Sequence, residues 1–301
     1  MFVMLMVIGC MNDNGDVAPV APLQDDALST PQATMGAGLY NACALDDGDI
    51  ECWGNNSTGQ VDAPRGPFIG LEVNFWSTCG LTEHGDAICW GDSQYQDERA
   101  LDVPSGPWLK VTFGGNHGCG IRDDHSLGCW GSDYYGQTDA PGGHDWIDVA
   151  STTMYSCGVR SSGALDCWGD LDAATSASAD GHAMMDQPDG SFIRVTAGLF
   201  ANMCAERVDG TWVCWGVDDS GEASGVPSDG TFLDVQMGDG FGCGLGAENA
   251  LTCWGSDVYG ETDIPPRDGW LRIGVGWKHM CAEDVDGRVL CWGRNIEHQL
   301  D

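Results

Sequence analysis

The tripeptide Cys-Trp-Gly occurs seven times, and this recurrence constrains the fold more than any other feature of the chain. The copies begin at Cys52, Cys89, Cys129, Cys167, Cys214, Cys253 and Cys291. Their spacings are 37, 40, 38, 47, 39 and 38 residues. A repeat with a period of about 20 to 50 residues indicates stacked copies of one small structural unit. The chain from about residue 33 to residue 301 is therefore predicted to be one array of seven units.

Each unit of this array has the sequence pattern of a small antiparallel sheet. A segment such as FIRVTAG (192–198) alternates large apolar with small or polar residues, as a half-buried strand does. A Gly-containing turn such as DDGD (46–49) then joins two further runs, the second of which ends in Cys-Trp-Gly. Three to four short strands fit into a repeat of about 38 residues. Seven such sheets around an axis make an all-β fold, a seven-bladed β-propeller.

The cysteines follow the same repeat. Of the 15 cysteines, 14 form seven pairs that are nine or ten residues apart, and Cys10 is left over. The pairs are Cys43/Cys52, Cys79/Cys89, Cys119/Cys129, Cys157/Cys167, Cys204/Cys214, Cys243/Cys253 and Cys281/Cys291. We expect one disulfide per hairpin, each stabilising its blade by about 3 kcal/mol, in an oxidising compartment. Zinc is disfavoured because no C-x-x-C motif occurs, and reduced cysteines packed in the core are the remaining alternative.

Two segments, CALDDGDIECWGNNSTGQ (43–60) and GGNHGCGIRDDHSLGCWGSDYYGQTDAP (114–141), resemble the regulator of chromosome condensation repeat. More specifically, they are similar to its short, Cys-containing version found in exported bacterial proteins. The resemblance covers about residues 33–301 and implies a seven-bladed propeller. The eukaryotic founder of this family is a guanine-nucleotide exchange factor that docks on chromatin. A secreted bacterial propeller that inhibits β-lactamases through an aromatic-rich face offers a closer functional analogy.

The sequence departs from the family pattern in three places. The histidine that lies two residues before the first Cys of a repeat occurs only as His117 and His279. The fourth repeat carries an insertion at 171–190, which includes His182, Met184 and Met185. The first repeat lacks the aromatic residue that opens the other six, so we expect a strand near 33–38 to complete the sheet beside the last repeat. Those opening aromatics are Phe68, Trp108, Trp146, Phe192, Phe232 and Trp270.

The amino terminus, MFVMLMVIGC, resembles a lipoprotein-type signal segment (1–10) that ends in a lipobox, with Cys10 as the lipidated residue. Its apolar run is much shorter than the about 20 residues that span a bilayer. No basic residue precedes this run, which departs from the usual pattern. Residues 11–32 are polar and contain proline, and we expect a disordered, flexible tether there. These features predict an extracytoplasmic protein, lipid-anchored to a bacterial membrane or cell surface.

The charge of the chain excludes several kinds of partner. With 46 acidic and 12 basic residues, the net charge is -34. Phosphate backbones and anionic membrane surfaces repel such a chain, so we expect no nucleic-acid binding and no membrane contact except through the lipid anchor. No nucleophile elbow, zinc-protease motif or phosphate-binding loop occurs, which favours a protein that is not an enzyme and holds no cofactor. Acid-rich turns such as 256–263 match no calcium-loop template, and turn chemistry accounts for them.

The candidate binding residues lie in the variable loop before the first Cys of each repeat. These loops are expected to line one rim of the ring and to hold aromatic side chains, which anchor many interfaces. The candidates are Tyr40, Trp76, His117, Tyr155, Phe200, Phe241 and Trp277. Alternatively, these side chains pack down over the core. The seven Cys-Trp-Gly tryptophans occupy a fixed place in every repeat, so we assign them to packing between blades.

These observations together predict an exported, monomeric scaffold without catalytic activity that recognises a protein partner through its aromatic loops. The disulfides would hold that face rigid and so lower the entropic cost of association. Two alternatives use the same fold. One is a carbohydrate-binding or carbohydrate-active propeller, whose loop aromatics would stack on sugars. The other is an exchange factor similar to the family founder, which would need reduced cysteines and a cytosolic location.

Overall fold

The computed structural model describes residues 34–91, 101–171, 187–228 and 230–295. In these residues, 21 strands form seven three-stranded antiparallel sheets, one sheet per repeat. The predicted seven-bladed, all-β propeller is therefore confirmed. Cys10, the predicted tether 11–32 and most of the insertion, with His182, Met184 and Met185, lie outside the described residues. No helix within the described ranges is long and apolar enough to cross a membrane.

The strands follow one another blade by blade along the chain. Blades one to three contain β1 (Met35–Ala37), β2 (Asn41–Asp46), β3 (Asp49–Gly54), β4 (Phe68–Val73), β5 (Ser77–Thr82), β6 (Ala87–Gly91), β7 (Trp108–Phe113), β8 (His117–Arg122) and β9 (Leu127–Gly131). Blades four and five contain β10 (Trp146–Ser151), β11 (Tyr155–Arg160), β12 (Leu165–Gly169), β13 (Phe192–Ala197), β14 (Asn202–Arg207) and β15 (Trp212–Gly216). Blades six and seven contain β16 (Phe232–Met237), β17 (Phe241–Gly246), a 3-10 turn (Ala247–Asn249), β18 (Leu251–Gly255), β19 (Trp270–Val275), β20 (His279–Asp284) and β21 (Val289–Gly293).

We name the strands of each blade A, B and C from the axis outward. The A strands line a central cavity and contact the A strands of neighbouring blades. The loops between A and B lie at one rim of the ring, the AB rim. The turns between B and C lie at the opposite rim, the BC rim. In blades two to seven a β-bulge at the second residue of strand A, Ile69 in blade two, shifts the register with strand B.

A disulfide joins strands B and C in every blade, as predicted. The paired cysteines are register partners, with Cα–Cα distances of 4.0 to 4.1 Å. The seven bonds are Cys43–Cys52, Cys79–Cys89, Cys119–Cys129, Cys157–Cys167, Cys204–Cys214, Cys243–Cys253 and Cys281–Cys291. Bonds of this kind are typical of proteins in an oxidising, extracellular environment.

Indole rings pack directly on strand B where it carries glycine, as in blade three. In blade three the Trp130 ring lies over Gly118 of strand B, where an added Cβ would meet it at 2.6 Å. The ring of Trp108 covers Gly120 in the same way, at 2.7 Å. The Cys-Trp-Gly tryptophan also ties its blade to the preceding connection, since Trp168 Nε1 donates to the carbonyl of Gln137 over 2.9 Å. The fixed tryptophan is thus part of the structure of the blade.

The ring closes by face-to-face packing of the first and last blades. The strand expected near 33–38 is β1, which pairs with β2 inside the sheet of its own repeat. That sheet lies beside the seventh blade, and β1 contacts β19. At this joint two glycines meet, because a Cβ on Gly274 would lie 2.9 Å from the backbone of Gly36.

Candidate functional site

The predicted binding residues lie in or directly after the AB loops, and three of them are buried. Tyr155, Phe241 and His117 are each 0% exposed. Each is the first residue of strand B, one position after the loop ends. The expectation that these three side chains form an exposed face is therefore wrong, because that position of the blade is enclosed by its neighbours.

Two of the buried side chains have polar partners in the next blade or loop. The Tyr155 hydroxyl donates to the carbonyl of Ala201 over 3.2 Å, and burial raises the pKa of this phenol. Nε2 of His117 lies 2.8 Å from the hydroxyl of Ser156 in the neighbouring blade. Burial lowers the pKa of His117 to about 4, so the imidazole is neutral at physiological pH. These groups hold blades together.

Three other predicted residues belong to one contiguous arc of ring contacts on the AB rim. Tyr40 lies edge-on to Trp76, with ring centroids 5.6 Å apart, and edge-on to Trp277, at 5.7 Å. The guanidinium of Arg294 lies 4.5 Å from the centre of the Trp277 ring and 5.2 Å from that of Tyr259. We call these five residues the aromatic arc. It crosses the joint at which the ring closes, from blade two through blade one to blade seven.

Polar groups fix the orientation of Trp277 within the arc. Its Nε1 donates to Oδ2 of Asp239 over 2.8 Å. Lys278 Nζ lies 3.0 Å from the same oxygen, and its side chain is largely shielded from solvent. The tryptophan ring is thus held between a carboxylate and the guanidinium of Arg294. Rings that are held in this orientation and keep part of their surface exposed are suited to act as interface anchors.

The remaining predicted residue, Phe200, covers the end of the ring axis. It is 37% exposed, and its ring packs edge-on against Phe75, with centroids 5.1 Å apart. Phe200 belongs to the loop of blade five and Phe75 to that of blade two. Since these blades lie three positions apart in a ring of seven, the two rings meet across the axis. Phe200 therefore has a capping contact that the sequence did not reveal.

Below this cap lies a central cavity of about 410 Å³, the axial cavity. At its AB end it is lined by Asn74 and Leu199, next to the capping phenylalanines. At its BC end it is lined by Thr34, Leu233 and Leu271, all of which are exposed to solvent. The cavity is consequently covered at the AB rim and open at the BC rim.

Charged residues at the third position of strand A form a belt around the axial cavity. Their signs alternate from blade three to blade seven. Four of the five contact the next blade directly, and Asp234 does so through Gln236. Lys110 Nζ lies 2.5 Å from Asp148 Oδ1, while Asp148 Oδ2 accepts the amide of Val195 over 2.8 Å. The other members act on later joints. Arg194 donates to the carbonyl of Leu233. Gln236, which lies beside Asp234, donates to the carbonyl of Ile273. Arg272 donates to the carbonyls of Thr34 and Leu45.

Two carboxyl groups that line the cavity have raised pKa values. Burial raises the pKa of Glu72 to about 7, although Lys110 and the hydroxyl of Thr112 act in the opposite direction. Burial also raises the pKa of Asp234, against the influence of Arg194. Within the described ranges, no group of three or more His, Cys, Asp or Glu side chains has the geometry to hold a metal ion.

A sequence profile supports the repeat assignment. The profile described as the regulator of chromosome condensation (RCC1) repeat matches residues 271–299, which belong to the seventh repeat. The resemblance inferred from the repeat motifs is confirmed there. No curated protein sequence matches this chain.

Solved structures with a similar fold include plant and yeast proteins. The CRINKLY WD40 ectodomain of the Arabidopsis thaliana receptor kinase ACR4 is 21% identical, and the match covers 90% of this chain and 98% of that chain with a TM-score of 0.70. The ectodomain of the Physcomitrella patens receptor kinase CR4 is 22% identical over 87% of this chain and 73% of that chain, with a TM-score of 0.64. Yeast RCC1 (Prp20), solved with Kap60, is 12% identical over 99% of this chain and 85% of that chain, with a TM-score of 0.67. At such identities the likeness establishes the fold alone.

Proposed function

We propose that this protein is an exported scaffold without catalytic activity that binds a protein partner through the aromatic arc. The observation that carries the proposal is the continuous contact of Trp76, Tyr40, Trp277 and Arg294 on the AB rim. Tryptophan, tyrosine and arginine are the residues that most often dominate the energy of protein interfaces. The arc is held in place by the disulfide-linked blades beneath it, so little conformational entropy is lost when a partner binds.

The proposal includes export and lipid anchoring through Cys10. The seven disulfides support an oxidising location, and the lipobox-like segment at 1–10 supports an anchor. The same bonds disfavour the exchange-factor alternative, which needs a cytosolic protein. Two features of related folds agree with a binding role: the plant structures are receptor ectodomains, and yeast RCC1 was solved with Kap60.

The geometry of the arc favours a protein over a sugar. Tyr40 makes angles of 63° and 87° with the two tryptophan rings, so the arc presents ring edges and corners instead of two parallel faces. Sugars stack on flat ring faces, whereas a shaped aromatic surface suits the side chains of a protein. A carbohydrate ligand remains the second candidate to be compared in the experiment.

The test is capture by the wild-type protein and by matched aromatic variants. Immobilised wild-type protein is cross-linked to extracytoplasmic proteins of the native organism, and the candidate partner is then purified for affinity measurement. Trp76→Ala and Trp277→Ala should each weaken binding about 30-fold, as expected for an interface anchor worth about 2 kcal/mol. Tyr134→Ala is the control, because this exposed tyrosine lies outside the arc.

The variants must keep the melting temperature of the wild type for the comparison to count as a binding effect. If Trp76→Ala and Trp277→Ala capture and bind the partner as well as Tyr134→Ala does, the arc is not the binding site. A glycan array with the same proteins separates the second candidate, since arc-dependent binding to a sugar would move the assignment to carbohydrate recognition.

A further inference from the structure

The guanidinium of Arg294 lies between two aromatic rings on the AB rim. It is 4.5 Å from the centre of the Trp277 ring and 5.2 Å from that of Tyr259. Arg294 directly follows strand C of blade seven, and its amide donates to the carbonyl of Lys278 over 2.8 Å. A guanidinium that stacks on rings uses its flat faces, so its N–H groups remain available for acceptors. The rings therefore fix the position of this cation without satisfying its donors.

Within the described ranges, no acceptor takes up these donors. No carboxylate there forms an ion pair with the guanidinium of Arg294, and its buried Nε has no hydrogen-bond partner. The carboxylate of Asp239 on the same rim is already engaged, because Lys278 Nζ and Trp277 Nε1 contact its Oδ2 at 3.0 and 2.8 Å. Among the described residues, the cation of the aromatic arc thus lacks a counter-charge.

Other stacked arginines have a structural role that recurs in the repeat. Arg122, Arg160 and Arg207 each end strand B, and each guanidinium lies over the aromatic ring that opens its own blade. Arg294 follows no such pattern. In the other repeats the residue directly after Cys-Trp-Gly is Asn55, Asp92, Ser132, Asp170, Val217 or Ser256. Because the repeat occurs six times without a cation at this position, its packing does not account for Arg294.

We propose that Arg294 binds a carboxylate group of the protein partner, an inference that rests on the proposed function and adds the chemistry of the group recognised. A guanidinium and a carboxylate match in two parallel N–H···O hydrogen bonds, which are stronger than bonds between neutral groups. Trp277 and Tyr259 flank the guanidinium and keep part of their surface exposed, so they can contact apolar residues beside the carboxylate. The carboxylate belongs to an Asp or Glu side chain or to the C-terminus of a polypeptide.

The net charge of -34 further restricts the partner surface. Such a chain repels an extended acidic surface, because like charges across an interface disfavour association. Arg294 supplies one local exception to this repulsion. The recognised surface therefore carries a single carboxylate among apolar or basic residues.

The experiment is titration of the whole protein with pairs of peptides at neutral pH and about 0.15 M salt, where surface charges are screened over about 8 Å. In the first pair, N-acetyl-Leu-Phe carries either a free C-terminal carboxylate or an amide. In the second pair, N-acetyl-Phe-Glu-Phe amide is compared with the same peptide carrying Gln. The readout is the indole N–H signal of Trp277 in NMR spectra, assigned with Trp277→Phe. A carboxylate peptide should bind at least about tenfold more tightly than its neutral counterpart.

Matched arginine variants locate the carboxylate. Arg294→Gln should reduce the affinity for the carboxylate peptide about tenfold and remove the difference between that peptide and its neutral counterpart. Arg288→Gln is the control, because it removes an arginine whose side chain is 60% exposed, in the BC turn of the same blade. This variant should bind both peptides of a pair as the wild type does.

Each outcome decides the proposal. A carboxylate preference that is lost in Arg294→Gln and kept in Arg288→Gln supports it. Equal binding of both members of each pair, equal loss in the two variants, or no movement of the Trp277 signal overturns it. Preference for the free C-terminus or for the Glu peptide separates the two sources of the carboxylate.

The peptides take the place of the native partner, so this result is distinguishable from the test of the proposed function. Partner capture that depends on Trp76 and Trp277, without any carboxylate preference, refutes the role of Arg294 alone. Carboxylate binding at Arg294 without capture of a partner refutes the proposed function alone.

Discussion

The belt around the axial cavity should be a major source of stability, and Asp148 is its most connected member. This carboxylate is 0% exposed. It accepts hydrogen bonds from the ammonium group of Lys110 over 2.5 Å, from the amide of Val195 over 2.8 Å and from the amide of the adjacent Val149 over 2.9 Å. One side chain thus joins blades three, four and five. Replacing it with asparagine keeps only one acceptor oxygen, so one of the two amides loses its acceptor, and it removes the carboxylate that is paired with Lys110.

The expected cost of Asp148→Asn follows from the burial of this pair. Removal of one partner from a buried ion pair typically costs about 3 to 5 kcal/mol. Lys110 keeps 13% of its side-chain surface exposed, so it retains some hydration and the lower value of about 3 kcal/mol applies. For a chain of this size that cost corresponds to a fall in melting temperature of about 6 °C.

The assay is thermal and urea-induced unfolding of the disulfide-bonded protein, followed by tryptophan fluorescence. Asp239→Asn is the control, since the Lys278–Asp239 pair has 18% and 38% of its side chains exposed and should contribute less than about 1 kcal/mol. Lys110→Met combined with Asp148→Asn should recover at least half of the loss, because no buried cation is then left without a counter-charge. Equal costs for Asp148→Asn and Asp239→Asn would refute the assignment of the belt as a stabilising structure.

Two further predictions concern the cysteines and the buried histidines. Alkylation of freshly isolated, unreduced protein should label none of the 14 paired cysteines, and labelling of all 14 would contradict the oxidising location. The double variant Cys204→Ala/Cys214→Ala should lose about 3 kcal/mol of stability in denaturant unfolding. Burial lowers the pKa of His117 and His279 to about 4, so between pH 6.5 and 4 the unfolded chain binds protons that the folded chain does not. Stability should therefore fall as the pH decreases through this window, and a pH series of melting temperatures for His117→Gln/His279→Gln should show a smaller fall than the wild type.

Much of the candidate site was accessible from the sequence, but not the exposure of its members. The variable loops correctly located Tyr40, Trp76 and Trp277 on one rim. The same reasoning included Tyr155 and Phe241, which lie one residue further along, at the start of strand B, and are buried. A shift of one position decides whether a side chain is on a loop or between two blades. The sequence pattern of a short aromatic loop does not distinguish these cases.

The sequence alone carries a signal for the belt. The third residue of strand A reads Lys110, Asp148, Arg194, Asp234 and Arg272 in successive repeats. Alternating charge at one repeat position predicts that these residues meet around the axis. Basic residues are scarce in a chain of charge -34, so three cations at equivalent positions were a signal for a common site.

The sequence by itself determined the number of blades, the strand order and the disulfide pairing. Each of these follows from contacts inside one repeat, where residues about ten positions apart face each other across a hairpin, and the repeat states the same pattern seven times. Tertiary structure alone decided the aromatic arc, the Phe75–Phe200 cap and the axial cavity. Those features join side chains from blades far apart in the chain, such as blade two with blade five. Such contacts depend on closure of the ring, which sets distances that no single repeat contains.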